Sequence, residues 1–223
     1  MLLAFDTSTA AGSVALWDQR LLALRTFDAG REHSKRLFPE IEQVLVDAGR
    51  SREQVVAVGV TIGPGSFTGL RIGLSAAKGL CRGLEVPLVA VSTLEVLAAR
   101  LPWCRLPVCA VLDARRGEVY TATYDTSQGR PVPMGPERAL TPEALLAEWG
   151  DGDVLFTGDG VDRLPEEVRH RAPSSLARPC AAEVAWLAEP KLAGGDTADP
   201  MLVEPVYLRT PSFVKRQDQA VAS

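Results

Sequence analysis

The first thirty residues carry three short apolar runs separated by polar turns. Residues 2–5 and 13–17 flank the polar stretch 7–12, which is the pattern of a β-hairpin, and 21–27 reads as a third, weaker strand. A helical period sets in after "AGREHS": Leu37, Phe38, Ile41, Val44, Leu45 and Ala48 share one face, and Gly49 supplies the stop. Pro39 is expected within the first turns of that helix or at a slight kink, since it removes one backbone hydrogen bond. Residues 55–62 are almost continuously apolar and β-branched, which predicts a strand buried on both faces. A glycine loop follows, then a helix over 69–84, a strand over 86–91 and a second helix over 92–99, capped by Ser92 or Thr93.

"RLPWCRLP", residues 100–107, is the natural boundary, and beyond it the pattern starts again. "VCAVLDARRGEVYTATYD" repeats the opening "LLAFDTSTAAGSVALWD": an apolar strand ending in Asp, a short polar turn and a second strand. "DVLFTGDG" echoes "VGVTIGPG" in the same way. Matching elements in matching order predict an internally duplicated α/β fold, with strand-end loops facing a shared cleft. The expected division is 1–104 and 105–223, with the last segment free to return to the first lobe. Residues 128–142 are rich in Pro and Gly and read as surface loop. A short helix is expected over 140–149, with Thr141 as cap and Pro142 in its first position, and another over 181–187. A strand-like piece at 206–208 precedes a tail expected to be mobile.

Composition narrows the function more than the fold. At 223 residues, 46% hydrophobic and 23% charged, the chain has the balance of an ordinary globule able to bury a sizeable core. A net charge of −4 and a pI near 5.3 leave no general nucleic-acid footprint, so RNA contact requires a local patch or a partner. The start "MLLAFDTSTAAG" lacks the basic region and long apolar core of a secretory signal, and no run reaches the roughly 18 residues of a membrane helix. The expectation is a cytoplasmic, reduced protein. Its four cysteines form no C-x-x-C pair, and its two histidines, His33 and His170, are far apart, so no zinc-ligand spacing is present.

The candidate chemistry lies in the glycine loop and two carboxylates. "GPGSFTG", Gly63 to Gly69, sits between a buried strand and a helix, where free N–H groups and the positive helix end attract anions. It is not a Walker loop, because Leu70 stands where the lysine belongs, and not a dinucleotide fingerprint, because Thr68 stands where the third glycine belongs. Two readings stay open: phosphate contact through Gly63, Gly65 and Ser66, or a tight turn with close packing. Asp6 and Asp113 each end the first strand of a repeat. They are placed to hold a metal–phosphate group across the cleft, or else to organise their own turns as Asx acceptors.

The helix after the loop raises a further question. Leu70, Leu74, Ala77, Cys81 and Leu84 form one stripe for the sheet. Ile72, Ala76, Gly79 and Gly83 lie on another face, with Gly73 and Ala77 between the two. Each helical glycine costs roughly 1 kcal/mol against Ala, so close backbone approach is expected there, either by the 34–48 helix or by a partner.

"FDTSTAAGSVAL", "GVTIGPGSFTGLRIGLSAAKGL", "DARRGEVY" and "PVYLR" together resemble the TsaB (YeaZ) family, in order and over nearly the whole chain. The resemblance implies the actin-like, sugar-kinase-like ATPase fold of duplicated RNase H-like lobes, with nucleotide phosphates held by hairpin turns and glycine loops. It implies a paralogous catalytic partner, TsaD, an ATPase partner, TsaE, pairing through the N-terminal lobes, and a homodimer when the chain is alone. The catalytic relative carries H-x-x-x-H where this chain has Thr93 and Leu97, so the implied metal pair is missing. His33 resembles the family's H-S before the first long helix, where a surface or capping role is expected. The resemblance implies a non-catalytic activator in threonylcarbamoyladenosine modification of tRNA, touching tRNA only through the complex and no membrane. No tightly held cofactor is expected, and weak ATP or ADP binding in a degenerate cleft is left open, since Ser8 stands where many phosphate-binding relatives have glycine. The rivals are an ATP-dependent enzyme using Asp6, the glycine loop and Asp113, and a metallopeptidase, for which the sequence supplies no metal ligands.

Overall fold

The computed structural model describes residues 1–30, 32–149 and 152–209. Two sheets carry the fold. The first contains β1 (Leu2–Asp6), β2 (Ala11–Trp17), β3 (Leu21–Asp28), β4 (Ala57–Gly63) and β5 (Leu88–Ser92), ordered β3-β2-β1-β4-β5. β1, β2 and β3 form an antiparallel meander, while β4 runs parallel to both β1 and β5. The second contains β6 (Val108–Arg115), β7 (Glu118–Asp125), β8 (Val132–Pro133), β9 (Arg138–Leu140) and β10 (Leu155–Thr157), ordered β10-β6-β7-β8, with β9 also on β7. The duplication is visible in the pairing: the hairpin β1–β2 with parallel β4 beside β1 recurs as the hairpin β6–β7 with parallel β10 beside β6. This is the α/β fold of two repeated lobes that the sequence pattern predicts.

Among the described residues, five α-helices cover the sheets: α1 (His33–Asp47), α2 (Phe67–Leu84), α3 (Thr93–Ala99), α4 (Pro142–Trp149) and α5 (Ala181–Ala193). The alternation along β1 assigns the two faces of the first sheet. Leu3 and Phe5, with Val58 and Val60 of β4, pack under α1 and α2, whereas Leu2, Ala4 and Ala57 pack under α5. Phe5 is wholly buried, and burial of a side chain of that size contributes about 1.5–3 kcal/mol. α5 lies on the first sheet although it follows the second in the chain. α3 joins the lobes: Val96 and Ala99 belong to the first sheet's core, while Leu94, Leu97 and Ala98 pack on β6 and β7. α4 covers the opposite face of the second sheet through Leu145.

Several expectations need correction. The inward side of α1 is His33, Leu37, Glu40, Ile41 and Val44, and Phe38 is 48% exposed. Glu40 holds an inner place because Arg25 (2.6 Å) and Arg36 (2.8 Å) both pair with it, and these hydrogen bonds keep its carboxyl below the usual range. Pro39 sits in the second turn of α1, and Gly49 (φ +60°) follows the helix in the left-handed conformation expected of a stop. Residues 128–142 are not plain loop, since β8 and β9 use the otherwise unpaired outer edge of β7. Residues 206–208 form no strand, although the Val206 N–H donates to the Ile62 carbonyl at 2.7 Å. The tail expected to be mobile, from residue 210 onward, lies outside the described residues.

Candidate functional site

The glycine loop packs on the first hairpin turn. Ser66 caps α2, with its Oγ accepting the Gly69 N–H at 3.3 Å, and its own N–H donates to the Ser8 carbonyl at 2.7 Å. A Cβ on Gly65 would stand 2.5 Å from that same carbonyl oxygen. On Gly69 it would run into the Thr7 carbonyl, and on Gly73 into the Thr7 hydroxyl, at shorter range still. Gly63 (φ +125°) faces the Val206 carbonyl, which would lie 2.5 Å from an added Cβ. Thr7 closes the contact by donating its hydroxyl to the Gly69 carbonyl at 2.8 Å. These four glycines therefore let the chain's own backbone approach. No lysine is needed for that close packing.

Asp6 is buried beneath the same turn. Its Oδ1 accepts the Ser8 hydroxyl (2.6 Å), the Thr61 hydroxyl (2.6 Å) and the Ser8 N–H (3.2 Å), while Oδ2 is buried without a hydrogen-bonding partner. Burial raises the Asp6 carboxyl above its ordinary value, and the three hydrogen bonds only partly oppose that. Asp113 also makes an Asx-type bond, from the Arg115 N–H (2.8 Å) to Oδ1, and pairs through Oδ2 with Arg163 at 2.9 Å. Partial burial works against its charge, but Arg163 and the Arg115 N–H outweigh it and hold the carboxyl below its usual value. Asp159 accepts the Asp113 N–H at 3.0 Å. Its carboxyl is raised, first by burial and then by the neighbouring Asp113 charge.

Between the lobes lies a cleft of about 460 Å³. Gly65, Ser66 and Thr68 face it from the first lobe together with Ser8 and Thr9, and Asp113, Arg115 and Asp159 face it from the second. The structure thus brings Gly65, Ser66 and Asp113 together at one cleft. Asp6 and Gly63 are not among its walls, because the Ser8 turn covers the first and the Val206 backbone the second. The second-lobe wall ends in an unusual turn in which Arg115, Arg116 and Gly117 all have positive φ (+64°, +54° and +80°).

The α2 face divides in two. Gly73 and Ala76 are buried, Gly73 against Thr7 and Ala76 in the core under α1 and α2, with Ala76 6% exposed. Gly79 and Gly83 are exposed, with nothing within 4 Å of an added Cβ. Ile72 is half-buried on the wall of an apolar groove of about 600 Å³ between the two helices, where Leu37 and Phe38 of α1 face Phe67, Arg71 and Ala76 of α2. Of the five residues proposed for a partner surface, Ile72 and Ala76 share this groove, Gly79 and Gly83 lie further along the helix in the open, and Gly73 is filled from inside.

Thr93 and Leu97 are both wholly buried in α3, and Leu97 packs on the second sheet with its Cδ1 close to Gly158. An aliphatic side chain fixed in that core presents no ligand atom. His33 is not a surface residue: it is 4% exposed, with Nε2 2.9 Å from the Thr9 carbonyl and its ring edge-on to Phe27. It is held between the first hairpin turn and β3. Sequence reasoning allowed the last segment to return to the first lobe but did not single out Tyr207 or Arg209, and it missed Arg163, whose pairing with Asp113 spans fifty positions.

Two repeated α/β lobes, with the glycine loop on one side of a shared cleft and Asp113 and Asp159 on the other, make the duplicated α/β fold class to which the chain belongs. The family described as "TsaD: tRNA N6-adenosine threonylcarbamoyltransferase" has a model that matches residues 27–162. The chain is 34% identical to the tRNA threonylcarbamoyladenosine biosynthesis protein TsaB of Escherichia coli (strain K12), over 93% of this chain and 94% of that protein. It is 31% identical to the TsaB of Bacillus subtilis (strain 168), over 93% of each. The solved structure of YeaZ from Pseudomonas aeruginosa superposes with a TM-score of 0.82 at 36% identity, over 93% of this chain and 99% of that one. The chain belongs to the TsaB (YeaZ) family.

Proposed function

We propose that this protein is a non-catalytic partner and activator of a TsaD-type transferase in the threonylcarbamoyladenosine modification of tRNA. The curated relatives that match nearly end to end are named for biosynthesis of that nucleoside. The observation that carries the non-catalytic part is the filling of the phosphate-loop position by the protein itself: the Ser8 carbonyl accepts from Ser66, the Ser8 hydroxyl is turned onto Asp6, and Thr7 occupies the clearance at Gly69 and Gly73. Thr93 and Leu97, buried as they are, offer no pair of ligands for a metal. The chemistry then belongs to the paralogue, and this chain contributes a surface.

That surface is the α1–α2 face, with its apolar groove and the exposed Phe38. An open apolar groove of this kind favours burial by a partner. It pairs with the equivalent helices of TsaD, or with a second copy when TsaD is absent, and TsaE and tRNA join through the complex. Residues 1–104 supply the pairing lobe and 105–223 the reduced second lobe, with residues 198–207 returning to the first. No helix among the described residues is long and apolar enough to cross a membrane, and a cytoplasmic site of action accords with a tRNA target.

The second reading, an ATP-dependent enzyme, is favoured by one observation: the cleft retains Ser66, Thr68, Asp113 and Arg115 on its walls. Calorimetry separates the two. The partner reading expects tight binding of TsaD and no micromolar affinity for Mg-ATP in the isolated chain, and the reverse pattern would favour the enzyme.

A further inference from the structure

Residues 198–209 cross the molecule from one lobe to the other. Ala198 bonds to the Leu88 carbonyl at 2.8 Å and Val203 packs on the first core. Val206 then bonds to the end of β4, and Tyr207 lies on α2, its ring 5.2 Å from that of Phe67 and its Oη 3.1 Å from the Arg71 Nε. The Arg71 guanidinium in turn stacks 3.9 Å above the Phe67 ring. Two residues later the chain is on the second lobe. Arg209 donates to the Ala114 (3.2 Å) and Arg115 (3.3 Å) carbonyls and pairs with Glu118 at 2.5 Å, across the turn that ends β6.

We infer that residues 203–209 are a tether that couples the α1–α2 groove to the β6–β7 turn at the mouth of the inter-lobe cleft. Phe67 and Arg71 are walls of the groove, and Arg115 is a wall of the cleft. The two sites touch the same seven-residue segment from opposite ends. Whatever settles against Phe67 and Arg71 changes the seat of Tyr207, and Tyr207 is two residues from the guanidinium that clamps the second-lobe turn. That turn is the element with something to release: three successive left-handed residues, two of them arginines, cost conformational energy unless the surroundings hold them. Arg209 supplies part of that hold by satisfying two carbonyls of the turn. The docking surface is thereby linked to the geometry of the cleft, which is a coupling between two sites through a shared physical element. The link to partner binding rests on the docking function proposed above; the mechanical link between the lobes does not.

The test is therefore made on the isolated full-length chain, with no partner. Hydrogen exchange of backbone amides in residues 112–119 is compared among wild type, Arg71→Ala, Arg209→Ala and the double variant. Arg209→Ala is expected to speed exchange there about ten-fold, and Arg71→Ala, which touches only the first lobe, about three-fold or more. The double variant should match Arg209→Ala alone, since both act through one tether. Tyr207→Phe, which removes only the hydroxyl, should move the same peptide in the same direction and guards against a general loss of folding in Arg71→Ala. Wild-type exchange at 112–119 in both Arg71→Ala and Tyr207→Phe, or a double variant equal to the product of the singles, overturns the coupling.

Discussion

Replacing the glycines of α2 one at a time should give effects of opposite sign on the same helix. Gly79 sits in the helix interior and Gly83 in its last turn, both with open space where a Cβ would go. Alanine there gains helix propensity and loses nothing, so each substitution should stabilise the isolated chain by roughly 0.5–1 kcal/mol. Gly69 has the same propensity to gain but faces the Thr7 carbonyl, and Gly73 faces the Thr7 hydroxyl, both too close for a methyl group. Neither neighbour is free to yield, because Thr7 is wholly buried and its hydroxyl is bonded to the Gly69 carbonyl. Forcing a methyl group into such a contact costs about 1–3 kcal/mol, so Gly69→Ala and Gly73→Ala should lose about 1–2 kcal/mol net. Urea unfolding monitored by circular dichroism reads this directly as a shift of midpoint at constant slope. If Gly69→Ala unfolds at or above the wild-type midpoint, or Gly79→Ala below it, the packing account of the glycine loop is wrong. A second readout follows from the same variants. If the outer glycines are retained for close approach by a partner helix, Gly79→Ala should be the more stable protein and the weaker binder of TsaD.

The buried carboxyl of Asp6 gives a prediction with a definite sign. Its folded pKa lies above the unfolded value because of burial, so the folded state binds the extra proton between the two, and stability falls as pH rises through the folded pKa. Asp6→Asn keeps the acceptor used by Ser8 and Thr61 and should flatten that fall in a pH series of urea midpoints; an unchanged slope would refute it. Ala76→Arg should lower the melting temperature as well as block docking, because Ala76 is packed in the core at its base and the longer side chain must displace neighbours to reach the groove. A folded Ala76→Arg variant with a wild-type melting temperature would show that the groove wall is misplaced. Phe38→Glu, at an exposed position on α1, should leave melting unchanged within about 0.5 kcal/mol and still weaken TsaD binding.

Much of this fold could be read from side-chain period alone. The apolar runs of β1 and β4 are strong signals because each strand is covered on both faces. The repeated hairpin was legible because each apolar run leads to an Asp and a short polar turn, although β6 runs two residues past Asp113, to Arg115. What failed depended on contacts distant in sequence. Phe38 was placed inward by period, but Glu40 takes that side because Arg25, on another strand, neutralises it. β9 was missed because three residues among prolines and glycines carry no period of their own and are set by the edge of β7. The loop glycines announced close approach without saying by what; the answer lay in Thr7, Ser8 and Val206, which are far from them along the chain. Asp6 was read as facing the cleft or organising its own turn, and only the Ser8 and Thr61 hydroxyls show it to be enclosed.

The most direct test of the account is reconstitution of tRNA modification with the TsaD and TsaE of the same cell, using threonylcarbamoyl-adenylate as donor and detecting modified adenosine by mass spectrometry. Modified nucleoside should form only when TsaD and this chain are both present. It should drop at least about ten-fold with Phe38→Glu, the loss expected when about 1.4 kcal/mol of docking energy is removed under limiting concentration. Modification by this chain in the absence of TsaD, or equal modification by TsaD and TsaE without this chain, would contradict the claim that it is an activating partner.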